Sequence, residues 1–169
     1  MTKIKSFKPR HIKFEEIRAT AERVREAFCD PPNIIPVPIE EIIEFDQRIS
    51  IIPVNGLTNS DIEAFLSNYL ESMFVDATLY MDERYIKRLR FTFAHELGHC
   101  YIHEDIYNNL TFESCEEWIE FIKELDPDDF DWFEKQASEF GGRLLVPREN
   151  LRDLLLALKP EMESYIKKH

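Results

Sequence analysis

Hydrophobic and polar positions along the chain follow two different periods, and the first part of the chain has the period of a helix. Residues 12–28, IKFEEIRATAERVREAF, place apolar side chains at every third or fourth position and predict an amphipathic helix. Pro31 and Pro32 follow, and because proline lacks the N–H that a helix needs, we expect the helix to end before them. PIEEIIEF, residues 38–45, predicts a second, short helix with proline in its first turn.

The middle of the chain has the composition and alternation of strands. RISIIPVNGL, residues 48–57, is rich in isoleucine and valine and ends in an Asn-Gly turn signal, which predicts a strand. MFVDATLYMDE, residues 73–83, predicts a strand that runs into a turn at Asp82-Glu83, whereas residues 62–70 fit either period. We expect a small, mainly antiparallel sheet here.

The helical period returns in the last half of the chain. Helices are predicted from Tyr85 to about Glu104, over 114–125, over about 130–142 and from about Arg148 towards the C-terminus. The pattern indicates a helix-rich α+β fold. At 169 residues the chain is expected to form a single domain, with N-terminal helices in 1–46, the small sheet in 47–83 and a helical part in 84–169.

The composition predicts where the protein is located and what role its cysteines have. The sequence contains no apolar run long enough to cross a bilayer and its N-terminus is polar, so we expect a cytoplasmic protein without membrane association. The cysteines, Cys29, Cys100 and Cys115, are odd in number and lack metal-binding spacing, which predicts reduced, structural thiols.

Charge argues against one class of partner and leaves another open. A net charge of −12 disfavours direct nucleic-acid binding, which needs clustered lysine and arginine. Residues 113–134 carry ten acidic side chains and one basic one. This acidic segment is either a solvated face or a surface that attracts a basic partner, such as a DNA-binding protein.

The stretch RLRFTFAHELGHCYIH, residues 88–103, carries the strongest chemical signal. His95 and His99 are four residues apart, so both imidazoles lie on one side of a helix and can bind one metal ion. Glu96 is turned by about 100° from His95, where its carboxylate can act as a general base. This is the H-E-x-x-H pattern of zinc metalloproteases, and it predicts one zinc ion per chain. The competing interpretation is an ordinary helix whose histidines bind nothing.

A third ligand has to come from elsewhere in the chain. EKQASEFGGRLLVP, residues 134–147, places Glu134, Ala137, Ser138 and Gly141 on one helical face, and Glu139 is the rival carboxylate. Small residues at 137 and 141 would allow this helix close approach to the helix that contains Gly98. Glu134 would then reach the metal, and Ser138 would hydrogen-bond a ligand histidine.

The remaining histidines are poorer ligand candidates. His103 lies one turn beyond His99, so we expect it to hydrogen-bond near the site or to lie in the core. His11 and the terminal His169 are unsuitable by position.

These two segments resemble the ImmA/IrrE family of metallo-endopeptidases. The resemblance implies that His95, His99 and Glu134 are zinc ligands and that Glu96 is the general base. It covers most of the chain in its order of elements, but its specific matches are confined to 88–147. Those matches are Arg90, Phe91, Thr92, Ala94 and His103 in the first segment and Glu134, Ala137, Phe140, Leu144, Leu145 and Pro147 in the second.

The sequence departs from the family pattern at two positions and in one segment. Ser138 replaces the usual asparagine or aspartate, and Gly141 replaces the usual alanine; neither change removes a ligand. The acidic segment is also longer than a minimal family member needs, which suggests an added helix over the site.

The resemblance implies cleavage or inactivation of a helix-turn-helix transcriptional repressor, in a phage, mobile-element or stress-response setting. By analogy with other H-E-x-x-H peptidases, an extended substrate would add to the sheet edge at residues 77–82. Tyr101, His103 and Arg143 are candidates to stabilise the oxyanion. The alternative function is a zinc-containing regulatory module that sequesters a repressor without cutting it.

Overall fold

A computed structural model of the chain describes residues 7–112 and 114–167, and these residues form eight helices and one three-stranded sheet. In chain order they are α1 (Phe14–Phe28), α2 (Ile39–Glu41, continued as a π-helical turn over Ile42–Asp46), β1 (Ser50–Val54), β2 (Ala64–Leu66), β3 (Ser72–Asp76), α3 (Ala77–Met81), α4 (Ile86–Ile102), α5 (Glu104–Tyr107), α6 (Cys115–Glu124), α7 (Pro127–Leu145) and α8 (Arg148–Ile166). Short 3-10 turns lie at Leu57–Ser60, Asn68–Leu70 and Glu83–Tyr85. The predicted helix-rich α+β fold is confirmed.

The predicted helices are present, and one of them is longer than expected. The third helix of the last half begins at Pro127 rather than near residue 130. The Asp126 side chain accepts hydrogen bonds from the backbone N–H groups of Asp128 and Asp129, and proline is favourable in a first helical turn. Asp126 and Pro127 therefore end α6 and also begin α7. No helix in 7–112 or 114–167 is long and apolar enough to cross a membrane.

The sheet is mixed, with the strand order β1-β3-β2. β2 and β3 are joined by a short connection and pair antiparallel, with Phe65 opposite Phe74. β1 pairs parallel to β3 over five residues, with Ile52 opposite Phe74. The expectation of a mainly antiparallel sheet is wrong for this pair, because the longer connection through β2 returns the chain in the direction of β1.

The predicted strand over residues 73–83 ends early, at Asp76. The carboxylate of Asp76, which is 1% exposed, accepts hydrogen bonds from the backbone N–H groups of Thr78 and Leu79 and starts α3. Its second oxygen accepts from the N–H and the hydroxyl of Thr58. Residues 77–81 are therefore helical, and the substrate-binding edge predicted over 77–82 is wrong.

Asp76→Asn should lower the free energy of unfolding by about 1–3 kcal/mol. The asparagine oxygen can still cap α3, but its amide would face the N–H of Thr58, so one buried donor loses its acceptor. Burial raises the pKa of Asp76, but its hydrogen bonds outweigh this effect and the net pKa lies below the usual range. The stabilisation by the charged form is thus complete above the unfolded-state pKa of about 3.9 and is lost as pH falls through the folded-state pKa.

Urea unfolding of both proteins across the acid range measures this difference. The gap between wild type and Asp76→Asn should be constant above about pH 5 and should narrow at lower pH. If the difference in free energy of unfolding stayed constant down to the lowest pH, the charged Asp76 carboxylate would not be the source of the stabilisation.

Helices α4 and α7 pack closely, and two glycines allow the contact. A Cβ atom on Gly98 of α4 would lie 2.9 Å from the carbonyl oxygen of Ala137 and 3.0 Å from its Cα. A Cβ atom on Gly141 of α7 would lie 3.0 Å from the backbone nitrogen of His95. The structure thus provides the reason for a glycine inside each helix, and the close approach expected from small residues is present.

Gly98→Ala should destabilise the protein by about 1–3 kcal/mol, although alanine is the better helix former. The new methyl group meets the backbone of α7, so α7 must shift relative to α4. Gly142→Ala is the matched control, because nothing lies within 4 Å of its Cβ position. That control should stabilise the protein by about 1 kcal/mol. Thermal unfolding of the two variants tests the pair, and equal stabilisation by both would disprove the packing argument.

Candidate metal centre

Three side chains from α4 and α7 converge on one point. His95 and His99 come from successive turns of α4, and their Nε2 atoms are 3.1 Å apart. Glu134 comes from α7, with one carboxylate oxygen 3.0 Å from His95 Nε2 and the other 3.5 Å from His99 Nε2. The residues that sequence spacing predicts as ligands are therefore brought together, and one ligand atom from each lies within 4.8 Å of the others.

These separations fit a metal ion. Zinc bonds of about 2.0–2.1 Å at tetrahedral angles place ligand atoms about 3.3–3.4 Å apart, close to the three distances found here. Two imidazole nitrogens and one carboxylate oxygen are also donors that catalytic zinc sites use while leaving one position open. The donor set and its spacing thus fit a metal ion with three protein ligands.

Both ligand histidines are oriented by hydrogen bonds at their other nitrogen. His95 Nδ1 lies 3.1 Å from the Ser138 hydroxyl, and His99 Nδ1 lies 2.9 Å from His103 Nδ1. An Nε2 lone pair directed at the common centre requires a proton on Nδ1, and these two partners accept it. Ser138 and His103 therefore lie where they fix the tautomer and the ring orientation of His95 and His99.

His103 suits the acceptor role because it stays neutral. Burial, reinforced by the nearby His99, lowers the pKa of His103 to about 2, and a neutral imidazole retains one accepting nitrogen. The ring stacks on Phe133 with centroids 4.2 Å apart. Gln136 interacts with His103 and donates to the carbonyl of Arg10 at 3.2 Å, which connects the site to the segment before α1.

Glu96 lies in the same cleft and its pKa differs from that of an exposed glutamate. Its side chain is 5% exposed, and burial raises its pKa to about 7, with the Glu134 carboxylate adding to the rise and His95 opposing it. Burial raises the pKa of Glu134, but its interactions with the His95 and His99 imidazoles outweigh burial and hold this pKa well below the usual range. The two carboxylates therefore differ: Glu134 is a stable anion, and Glu96 can gain or lose a proton near neutral pH.

Several other predicted candidates lie away from this centre. Glu139, the rival ligand, accepts a hydrogen bond from Arg143 Nε at 2.6 Å, so neither residue is directed at the site. The Tyr101 hydroxyl accepts from Gln47 at 2.7 Å. Tyr101, His103 and Arg143 are not among the residues that line the described cleft.

His11 is not a member of the metal-binding cluster. His11 stacks on Trp132 with centroids 4.6 Å apart. His169 lies outside the described residues.

The centre opens into a cleft of about 540 Å³. β2 contributes Ala64 and Phe65 to one wall, and α6 contributes Trp118 and Ile122 to another. Much of the remaining surface is apolar, from Phe91, Tyr107 and Phe130. The helix expected from the long acidic segment is therefore α6, which turns its apolar side to the cleft and exposes its four acidic side chains.

One interaction near the cleft was missed by sequence reasoning. Glu63, just before β2, accepts a hydrogen bond from the Thr92 hydroxyl at 2.6 Å and from Arg88 Nε at 2.7 Å. These bonds fix the start of the edge strand β2 to the face of α4 one turn before His95. No local pattern identifies Glu63, because its partners are 25 and 29 residues away.

Comparison with known proteins agrees with this geometry. No curated protein and no solved structure matches the chain. Residues 86–169 match the family model described as the IrrE N-terminal-like domain, a peptidase family, and this segment contains the three converging side chains and Glu96. Residues 86–169 therefore carry an IrrE N-terminal-like domain, the domain of a metallopeptidase family.

Proposed function

We propose that the protein is a zinc-dependent endopeptidase. The observation that carries the proposal is the convergence of His95, His99 and Glu134 at separations suited to tetrahedral zinc, with Glu96 buried in the same cleft. A carboxylate whose pKa is about 7 beside three metal donors is the arrangement that metal-assisted hydrolysis needs.

The chemistry divides between the metal and one glutamate. When bound, zinc polarises the scissile carbonyl and lowers the pKa of water. Glu96 takes the proton from the attacking water and delivers it to the departing amine nitrogen. Ser138 and His103 hold the two imidazoles in place during both transfers.

The position of β2 suggests how a peptide would bind. β2 is an edge strand of the sheet and contributes Ala64 and Phe65 to the cleft. An extended substrate can pair with this edge while one side chain enters the apolar pocket near Trp118 and Phe130. We therefore expect cleavage next to a large apolar residue.

The substrate class we propose is a basic, DNA-binding repressor of the helix-turn-helix type. The support is the family together with the acidic surface of α6 and the start of α7, where Glu116, Glu117, Glu120 and Glu124 are all exposed. A negative surface beside the cleft would speed the encounter with a positively charged protein. The same surface would also serve a module that only binds the repressor.

Incubation of the zinc-loaded protein with a mixed peptide library, followed by mass spectrometry of the products, tests the peptidase activity. We expect internal cuts beside large apolar residues, and a chelator should abolish them. A parallel incubation with a panel of purified helix-turn-helix repressors tests the substrate class. Binding of a repressor without a cut in either assay would favour the sequestering module.

A further inference from the structure

Helix α8 has an apolar stripe that the rest of the described chain leaves exposed. None of its residues from Arg148 to Ile166 is buried. The stripe has seven members, each 39–70% exposed: Leu151, Leu154, Leu155, Leu158, Met162, Tyr165 and Ile166. At 100° per residue these seven positions fall within an arc of about 120°, so they form one continuous surface along the helix.

The spacing of the stripe is that of a coiled coil. Leu151, Leu155, Leu158, Met162 and Tyr165 are separated by four, three, four and three residues, which is the alternation of the a and d positions of a heptad. Pro160 lies on the opposite side of the helix, so the backbone hydrogen bond that it removes is away from the stripe.

From this pattern we propose that α8 pairs with α8 of a second copy of this chain. A second copy carries the same a and d positions, so two such stripes can interlock along their length as the seam of a parallel coiled coil. In a parallel pair, the e side of one helix faces the g side of the other. With this register Lys159 faces Leu154 of the second copy and Glu161 faces its Ile166, so no like charges meet across the seam.

The surface of α8 is nearly neutral, unlike the acidic segment over residues 113–134. α8 contains three basic and four acidic side chains, whereas the whole chain has a net charge of −12. Two copies of α8 therefore meet with little repulsion. A strongly basic partner would be attracted to the acidic segment rather than to this helix.

The available area suits a reversible dimer. Nineteen helical residues extend about 28 Å, and seven half-exposed apolar side chains present on the order of 500 Å² per copy. A pair would then bury about 1,000 Å², close to the lower limit for a specific interface. We expect an equilibrium between monomer and dimer that depends on protein concentration.

Sedimentation equilibrium over about a hundredfold range of concentration measures this association. The test variant is Leu158→Glu, which places a carboxylate in the centre of the stripe. The matched control is Leu156→Glu, because Leu156 is 61% exposed and lies about 160° away from Leu158 around the same helix. Both changes are at exposed positions, so the fold of the remainder should be unaffected, and circular dichroism verifies this.

The wild type and Leu156→Glu should both dimerise at the upper concentrations, and Leu158→Glu should weaken the dimer by at least about thirtyfold. A wild-type chain that stays monomeric throughout would overturn the proposal and leave the stripe to a different partner. Equal weakening by both variants would also overturn it, because the association would not use this stripe. Neither result depends on whether the protein cleaves peptides.

Discussion

Glu96→Gln should reduce peptide cleavage by about 10²–10⁴-fold while the protein keeps its metal. Glutamine preserves the shape of the buried side chain but cannot accept the proton from water. The three converging ligand atoms belong to His95, His99 and Glu134, so the metal site retains its full donor set. The measurement is the rate of library-peptide cleavage together with zinc content by elemental mass spectrometry.

Glu104→Gln serves as the matched control, since Glu104 is an exposed glutamate at the start of the helix that follows α4. It should leave both the rate and the zinc content unchanged. Retention of normal cleavage in Glu96→Gln would remove Glu96 from the catalytic role. Loss of zinc in that variant would mean instead that Glu96 contributes to metal binding.

The same variant separates the two functions that sequence analysis leaves open. Whichever function the protein has, Glu96→Gln should bind a repressor as tightly as the wild type, because the substitution leaves the surface unchanged. If the protein is a peptidase, the wild type should cut the repressor and the variant should not. If it is a sequestering module, neither protein should cut it. Binding measured by calorimetry and cleavage measured on the same repressor therefore give independent answers.

Sequence alone was informative where the signal is local. The spacing of His95 and His99 and the small residues at 98, 137 and 141 each depend on a helical period, and the structure brings these positions together. A periodic helix fixes which residues share a face before any tertiary contact is known. Glu134 could be proposed for the same reason, as a member of the face that contains Ala137.

Sequence reasoning failed where a distant contact decides the local structure. The residues after Asp76 are predicted as strand because their apolar content suits either a strand or a helix. In the structure a helix begins there, because the Asp76 carboxylate caps it and also accepts a hydrogen bond from the Thr58 hydroxyl. The parallel pairing of β1 with β3 likewise depends on the path of the intervening chain. Glu63 acquires its role only when β2 lies against α4.

Glu134→Ala should lower the affinity for zinc by more than about 100-fold, since it removes a ligand rather than a group that orients one. The remaining Nε2 atoms of His95 and His99 are 3.1 Å apart and can still contact an ion, but two donors hold it far less tightly. Elemental analysis after dialysis should find about one zinc per wild-type chain and little in the variant.

Glu139→Ala is the matched control for this prediction, because it is the same substitution on the same helix. The Glu139 carboxylate is paired with Arg143 and not with the two histidines, so its loss should leave zinc binding intact. A second readout is thermal unfolding: free zinc at 100 times its dissociation constant stabilises a binding-competent fold by about 2.7 kcal/mol. The wild type and Glu139→Ala should gain this stability on zinc addition, and Glu134→Ala should not. Equal zinc binding by all three proteins would show that the carboxylate of α7 is not a ligand, and the three-donor site would have to be abandoned.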